Sequence, residues 1–460
     1  MASFLFYDIV FFILFSLAVT IFLIKHKKAL SREGIIFMYR TKLGMKAIDY
    51  FGVKHRKLLK KLVPVVIILG FLLMAAILWV IGQTLMIYII HPEITKVIKA
   101  PPVAPLIPYF PRLFGMQSFF PNFYFTYFIV ALAIVAIVHE FSHGIYMRVF
   151  NIKIKSTGIV FLGPILGAFV EEEKSQFEKK KNHEQMAVLG AGVFANILTG
   201  ILFYLLYVAF FYLSFQPAGY SFNAYGTAII PTSNITSIQK IPNSNLTEIT
   251  ANNKTYYLDK LLKKQLEMNL TKMAVYLDSP AFKNQIKGPI IQIDNTKIKN
   301  YKDLKSFLER KKPGDKITLI TLENEKPKKY NITLAEHPQN KTKAYLGVGH
   351  YKYAAKGIIR KTLAFFMSFK EQSTYYAPTW DGEFAKFIYD MLWWIMLINF
   401  LVALFNMLPV GILDGGRFFY LAVLSVTKSK KVASIAFKLS NKIILLAFLL
   451  MMLFWFIGII

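Results

Sequence analysis

Two histidines and a glutamate carry the most pointed chemistry in this chain: His139-Glu140-Phe141-Ser142-His143. On a helix, residues four apart share a face, so both imidazoles can reach one ion. Glu140, beside the first of them, is placed to take a proton from water held at that ion. A hydrolytic zinc centre needs three protein ligands and one open position. The metal brings the pKa of bound water towards about 7 and makes hydroxide available at neutral pH. The chain has no cysteine, so the ligands of a single zinc ion must be histidines and carboxylates. Asp414 offers the third. It stands in Asn406-Met407-Leu408-Pro409-Val410-Gly411-Ile412-Leu413-Asp414-Gly415-Gly416-Arg417, where Pro409 interrupts an ordinary helix and the glycines permit tight turns.

These residues need elements to position them, and the composition says what kind. Of 460 residues, 55% are hydrophobic and 16% aromatic, above the soluble-domain average of about 45–50% apolar. The excess falls in long uncharged runs, which predict about six transmembrane helices: Ser3–Ile24, Leu62–Ile90, Phe123–Val149, Met186–Phe215, Met391–Met407 and Ile443–Ile460. The first contains Asp8. It has no basic leader and no small-residue cleavage signal, and so reads as an anchor. The histidine motif follows sixteen uncharged residues, Phe123 to Val138, in the third span. Ionisable groups inside a span are costly and are kept where they face a cavity and work. Arg148 is the first basic residue after the motif. Nine residues at the helical rise put His139 about 13 Å inward from it, buried but nearer the cytoplasmic face.

Charge orients the spans. The net charge is +29, from 55 Lys+Arg against 26 Asp+Glu. No nucleic-acid recognition motif accompanies it, so no nucleic acid is expected as a partner. The basic residues flank the spans instead. Lys25 to Lys61 holds a dense cluster, Lys153 to Lys181 a second and Arg417 to Lys438 a third, all in odd-numbered loops. By the positive-inside rule those loops are cytoplasmic, and both termini and the long segment 216–388 lie outside. Six Asn-x-Ser/Thr sequons, at Asn234, Asn245, Asn253, Asn269, Asn331 and Asn340, are consistent with that side. Within the segment, residues 273–350 read as a small α+β domain. The predicted strands are Ile290–Ile293, Ile317–Leu322 and Tyr330–Leu334. A helix over Tyr301–Arg310 and a Pro313-Gly314-Asp315 turn lie between them. The order is similar to a PDZ domain, without a clear Gly-Leu-Gly-Phe carboxylate loop; another α+β fold fits the same pattern.

Taken together, His139, Glu140 and His143 in one span and the downstream Leu413-Asp414-Gly415 in another resemble the site-2 protease family of intramembrane metalloproteases. The resemblance covers 123–215 and 389–425, with the PDZ-like insert between. It implies that His139, His143 and Asp414 bind zinc and that Glu140 is the general base. It also implies that the substrates are transmembrane proteins, cut within or near the bilayer and often in regulated proteolysis. Two further segments fit. Gly190-Ala191-Gly192-Val193-Phe194-Ala195-Asn196 resembles the family's GxxxN segment. By chemistry Asn196 can donate an amide proton to a developing oxyanion or to substrate backbone; helix packing through Gly192 and Asn196 is the other reading. Ile159 to Val170, turning at Gly163-Pro164, looks like the family's membrane re-entrant β-hairpin and can otherwise be a cytoplasmic apolar loop.

The expected architecture is therefore a polytopic α-helical membrane protein with a re-entrant hairpin and an extracytoplasmic PDZ-like domain. It divides into 1–122, with two spans and a basic loop; 123–215, the catalytic core; 216–388 outside; 389–425, with the aspartate motif; and 426–460, the last span. Two other functions stay open at this level. A membrane zinc protease of another type would use a helical glutamate as third ligand, and none follows Glu383. A transporter or receptor scaffold would bind no zinc. The oligomeric state is unspecified.

Overall fold

The uncharged runs become helices because a backbone in lipid must pair its own N–H and C=O groups. The computed structural model describes every residue except 1–3, 93, 98, 104–105, 242–245, 260–262, 264–269, 324, 351–356 and 460. The chain forms two compact units, Met1–Phe210 with Lys386–Ile460, and Phe211–Ala385.

The first unit begins with α1 (Phe4–Lys25), β1 (Leu30–Glu33), β2 (Ile36–Thr41), α2 (Met45–Lys54) and α3 (Arg56–Ile90). It continues with α4 (Phe125–Val149), β3 (Ile154–Leu162), β4 (Ile165–Glu172) and α5 (Asn182–Ser214). After the second unit come α6 (Gly382–Asn406), α7 (Asp414–Thr427) and α8 (Lys430–Ile459). Among the described residues, α1, α3, α4, α5, α6 and α8 are the six helices long and apolar enough to cross a membrane. Three start well before their apolar runs. Helix α8 begins at Lys430 instead of Ile443, α6 at Gly382 instead of Met391, and α3 at Arg56 instead of Leu62. Lysine and arginine end a hydrophobic stretch but are good helix formers, so the helix continues into its polar flank.

Strands β1 to β4 make one antiparallel sheet in that order. The expected apolar hairpin is present and longer than expected, pairing Ile154 with Glu172 at one end and Leu162 with Ile165 at the other. Its outer neighbour, the β1–β2 hairpin, lies inside the basic loop, where lysines and arginines hide the alternation. Strand β4 is an edge strand. The buried cluster beneath the site draws Ile48 from α2, Met147 from α4, Val170 from β4, Leu189 from α5 and Phe418 from α7.

In the second unit, a six-stranded sheet runs in the order Lys326–Thr333, Lys316–Glu323, Ile290–Ile293, Phe215–Tyr220, Thr374–Pro378, with Thr296–Lys297 paired to Ile290–Ile293. Its core includes Tyr220, Ile290, Leu304, Phe307, Leu319 and Ile332. The helix Tyr301–Leu308 starts at Asn300, whose side chain accepts from Asp303 N at 3.1 Å, a normal N-cap. A second sheet of five antiparallel strands occupies Thr227–Leu277. Its strands are short and rich in Thr, Asn and Lys, which hides them in the sequence. Of the sequons, Asn245 and Asn269 lie outside the described residues.

Candidate active site

Helix α4 carries the histidine motif, and its start is held from another helix. Tyr124 precedes it and provides no side-chain cap. The carboxylate of Asp8 in α1 accepts instead from Phe125 N at 2.7 Å and from Thr126 N at 2.9 Å. Thr126 Oγ1 at 2.6 Å and Tyr109 OH at 2.7 Å complete its shell. Asp8 is therefore buried yet saturated with donors. It satisfies two of the free N–H groups every helix start leaves, and a negative charge suits that end of the helix.

Fourteen residues further on, His139 and His143 lie on one face of α4 with ring centroids 4.6 Å apart. Both reach the same oxygen. Asp414 Oδ2 is 3.0 Å from His139 Nε2 and 3.3 Å from His143 Nε2. Ligands about 2.0–2.2 Å from a tetrahedral ion lie about 3.3 Å from one another. These separations therefore fit zinc, and the donor set of two imidazoles and a carboxylate is one zinc accepts. His139, Glu140 and His143 also present ligand atoms within 4.8 Å of one another. The Glu140 carboxylate, however, is turned onto β4, where Oε2 accepts from Val170 N at 3.1 Å. Asp414, closer to both imidazoles, is the better candidate for a third ligand, and Glu140 stands beside it.

Asp414 reaches this point because the chain breaks between α6 and α7. Turns through Leu408, Val410 and Leu413 replace the helix, and Asp414 opens α7. The glycines after it are required by space. A Cβ on Gly415 would sit 2.4 Å from the Met407 carbonyl carbon, and one on Gly416 would sit 2.3 Å from Val410 O. Helix α8 braces the break: Ser440 Oγ donates to Pro409 O at 2.9 Å, and Gly411 N donates to Asn441 Oδ1 at 2.9 Å.

Helix α5 backs the histidines through Val188, Gly192 and Asn196, which are four apart and share a face. His143 Nδ1 lies 2.7 Å from Val188 O. A carbonyl only accepts, so Nδ1 carries the proton, and Nε2 is the ring nitrogen on the Asp414 side that is left for a metal. Gly192 leaves room for both rings: a Cβ there would lie 2.6 Å from His139 Cε1 and 2.6 Å from His143 Nε2. Asn196 is fully buried with its amide nitrogen 3.1 Å from His139 Nδ1, and its Oδ1 has no partner among the described residues. A half-turn of the amide exchanges those atoms. Oδ1 can then accept from Nδ1–H, the tautomer that a metal on Nε2 requires. Sequence chemistry offered Asn196 as a donor to substrate; in the structure its amide meets the His139 ring.

Beside the histidines lies a cavity of about 300 Å³, lined by Glu140, His143, Val170, Glu172, Asp414 and Arg417 among others. Residues 127–452 match peptidase family M50. The chain belongs to this family of membrane metalloproteases. With its six apolar helices it is an integral multi-pass membrane protein. A curated relative, an uncharacterized protein of Methanocaldococcus jannaschii, is 32% identical over 173 residues, covering 36% of this chain and 41% of that protein. The chain thus spans less than half the length of that relative.

Sequence reasoning missed four supports of this M50 site. They are Asp8, the Val170 N–H, the Val188 carbonyl and the Ser440–Asn441 pair. Only Asp8, a carboxylate in an apolar run, carried a signal. The other histidines, such as His26 stacked on Phe22 and His350 bonded to Ser221 O, take no part in the cluster.

Proposed function

We propose that this protein is a zinc-dependent endopeptidase that hydrolyses peptide bonds within or near transmembrane segments of membrane proteins. The observation that carries the reading is the single Asp414 oxygen shared by both imidazoles, with Glu140 held just outside the ligand set. His139, His143 and Asp414 would hold one zinc ion. Bound there, zinc supplies Lewis acidity to the scissile carbonyl and to water. Glu140 takes a proton from the attacking water and returns it to the leaving nitrogen, acting as base and then acid. Val188, Gly192 and Asn196 orient the imidazoles, and Asn196 acts on His139 instead of on substrate.

The free edge of β4 is suited to present the substrate. Val170 N–H points away from β3 to Glu140, so the unpaired edge faces the base. A locally unwound peptide added to that edge runs past the metal ligands with its carbonyls released from helical hydrogen bonds. In this reading the β3–β4 hairpin re-enters the bilayer from the cytoplasmic side. The 273–350 region, read as a PDZ-like domain outside the membrane, screens substrates by the size of their outer portions.

Two variants test the mechanism. Glu140→Gln is expected to keep stoichiometric zinc and to lose about 10²–10⁴-fold in cleavage of a model transmembrane substrate. Asp414→Ala is expected to lose zinc, measured by metal analysis of the detergent-purified protein. Full cleavage by Glu140→Gln, or full zinc in Asp414→Ala, overturns the assignment.

A further inference from the structure

Arg417 lies one helical turn beyond Asp414 on the same face of α7 and lines the same cavity as Glu140, His143 and Asp414. Its guanidinium carbon sits 4.3 Å over the Phe177 ring, which packs against the fork. Its anionic neighbours are distant: Glu172 at 3.7 Å and Glu178 at 3.9 Å. Both separations exceed hydrogen-bond reach, and among the described residues the five guanidinium N–H groups make no hydrogen bond. A charged, planar donor set thus stands open at a hydrolytic centre, flanked by two carboxylates that are close enough to neutralise it and too far to satisfy it.

We propose that Arg417 forms a carboxylate-binding subsite that receives an anionic group of the peptide. This rests on the peptidase reading. Hydrolysis adds the water oxygen to the acyl carbon and breaks its bond to nitrogen. One product then ends in a carboxyl group, which ionises at neutral pH, and the other in an amine. The carboxylate is created in this cavity, next to a fork whose geometry takes carboxylates bidentately. An acidic side chain beside the scissile bond presents the same chemistry. Glu172 and Glu178 hold the place until the peptide carboxylate arrives, and their long contacts make exchange easy.

The test is direct binding, without turnover, to the zinc-loaded protein in nanodiscs, read by fluorescence anisotropy. One pair of labelled apolar peptides differs only in a free or amidated C-terminus. A second pair, both amidated, differs only in Glu or Gln at the last position. The wild type is expected to bind an acidic member about tenfold more tightly than its neutral partner. Arg417→Gln is expected to bind both alike, and Arg417→Lys, which keeps charge without the fork, to fall between. The double variant Glu172→Gln/Glu178→Gln, which frees the guanidinium, is expected to widen the preference. The first pair reports the product terminus and the second an acidic side chain; Arg417-dependent preference in either supports the subsite. No preference in the wild type, or one undiminished in Arg417→Gln, overturns it. Zinc content and melting are measured for each variant; where Arg417→Gln is poorly folded, the Lys and Glu variants decide. Intact discrimination in a protein that cleaves nothing overturns the peptidase reading and leaves the subsite; active protein without discrimination does the reverse.

Discussion

At the residue scale, the atoms behind the histidines decide the site as much as the histidines do. Gly192 has no side chain because the two imidazoles occupy the space a Cβ would take. Alanine there favours the helix by about 1 kcal/mol over glycine, so backbone preference and the proposed metal binding pull in opposite directions. Gly192→Ala is expected to retain or gain helix stability while zinc affinity falls at least tenfold, measured by competition with a chelator. A variant that is both stable and tightly metallated would show that the rings can yield. Asn196 permits a companion experiment. Asn196→Leu removes the partner of His139 Nδ1 and is expected to weaken zinc about 10–100-fold. Asn196→Asp, which keeps an acceptor, is expected to lose much less. Equal losses in the two would point to packing alone. These relations explain what could be read from the linear chain. His139, Glu140 and His143 are legible because helical spacing alone brings them together, and Asp414 because a carboxylate follows a broken span. Val170 and Val188 are not legible, because they contribute a backbone N–H and a backbone C=O, which every residue possesses.

At the element scale, helix α4, which carries the histidine motif, depends on a neighbour for its start. Two N–H groups of α4 and two hydroxyls converge on Asp8, a residue of α1. A carboxylate inside an apolar run is visible in the sequence. Its partners are not, since they lie more than 100 positions away and are chosen by packing. Replacing Asp8 by alanine leaves buried donors unpaired, each costing about 1–3 kcal/mol. Asp8→Ala is therefore expected to lower stability in detergent by at least about 2 kcal/mol. Asp8→Asn, which keeps one acceptor oxygen, is expected to recover part of it. The site lies fourteen residues away, about 21 Å along the helix. Variant protein that still folds should bind zinc normally. Loss of zinc from folded Asp8→Ala would mean that α4 shifts as a whole. The β1–β2 hairpin is hidden for a related reason: its register is set by pairing to β3, from Phe37 opposite Phe161 to Thr41 opposite Thr157, across a long sequence gap.

At the scale of the whole molecule, the charge pattern predicts which end of each span faces the cytoplasm. The first loop is densely basic from Lys25 to Lys61, while Asn- and Thr-rich sequons crowd the segment after α5. Cytoplasmic loops carry the excess of lysine and arginine, so Lys28 is expected inside and Lys341, in the second unit, outside. The absence of cysteine makes this measurable, because any cysteine introduced is unique. Lys28→Cys and Lys341→Cys, each exchanged at an exposed position, are expected to be functionally silent. In intact cells, a membrane-impermeant maleimide should label Lys341→Cys at once and Lys28→Cys only after permeabilisation. The opposite pattern would place the His139 centre nearer the outer face, since it follows the orientation of α4. Water would then have to reach Glu140 from outside, and the β3–β4 hairpin would meet its peptide from that side. Topology and the geometry of the proposed site thus stand on separate observations, and the labelling result can overturn the first while leaving the proposed metal ligands in place.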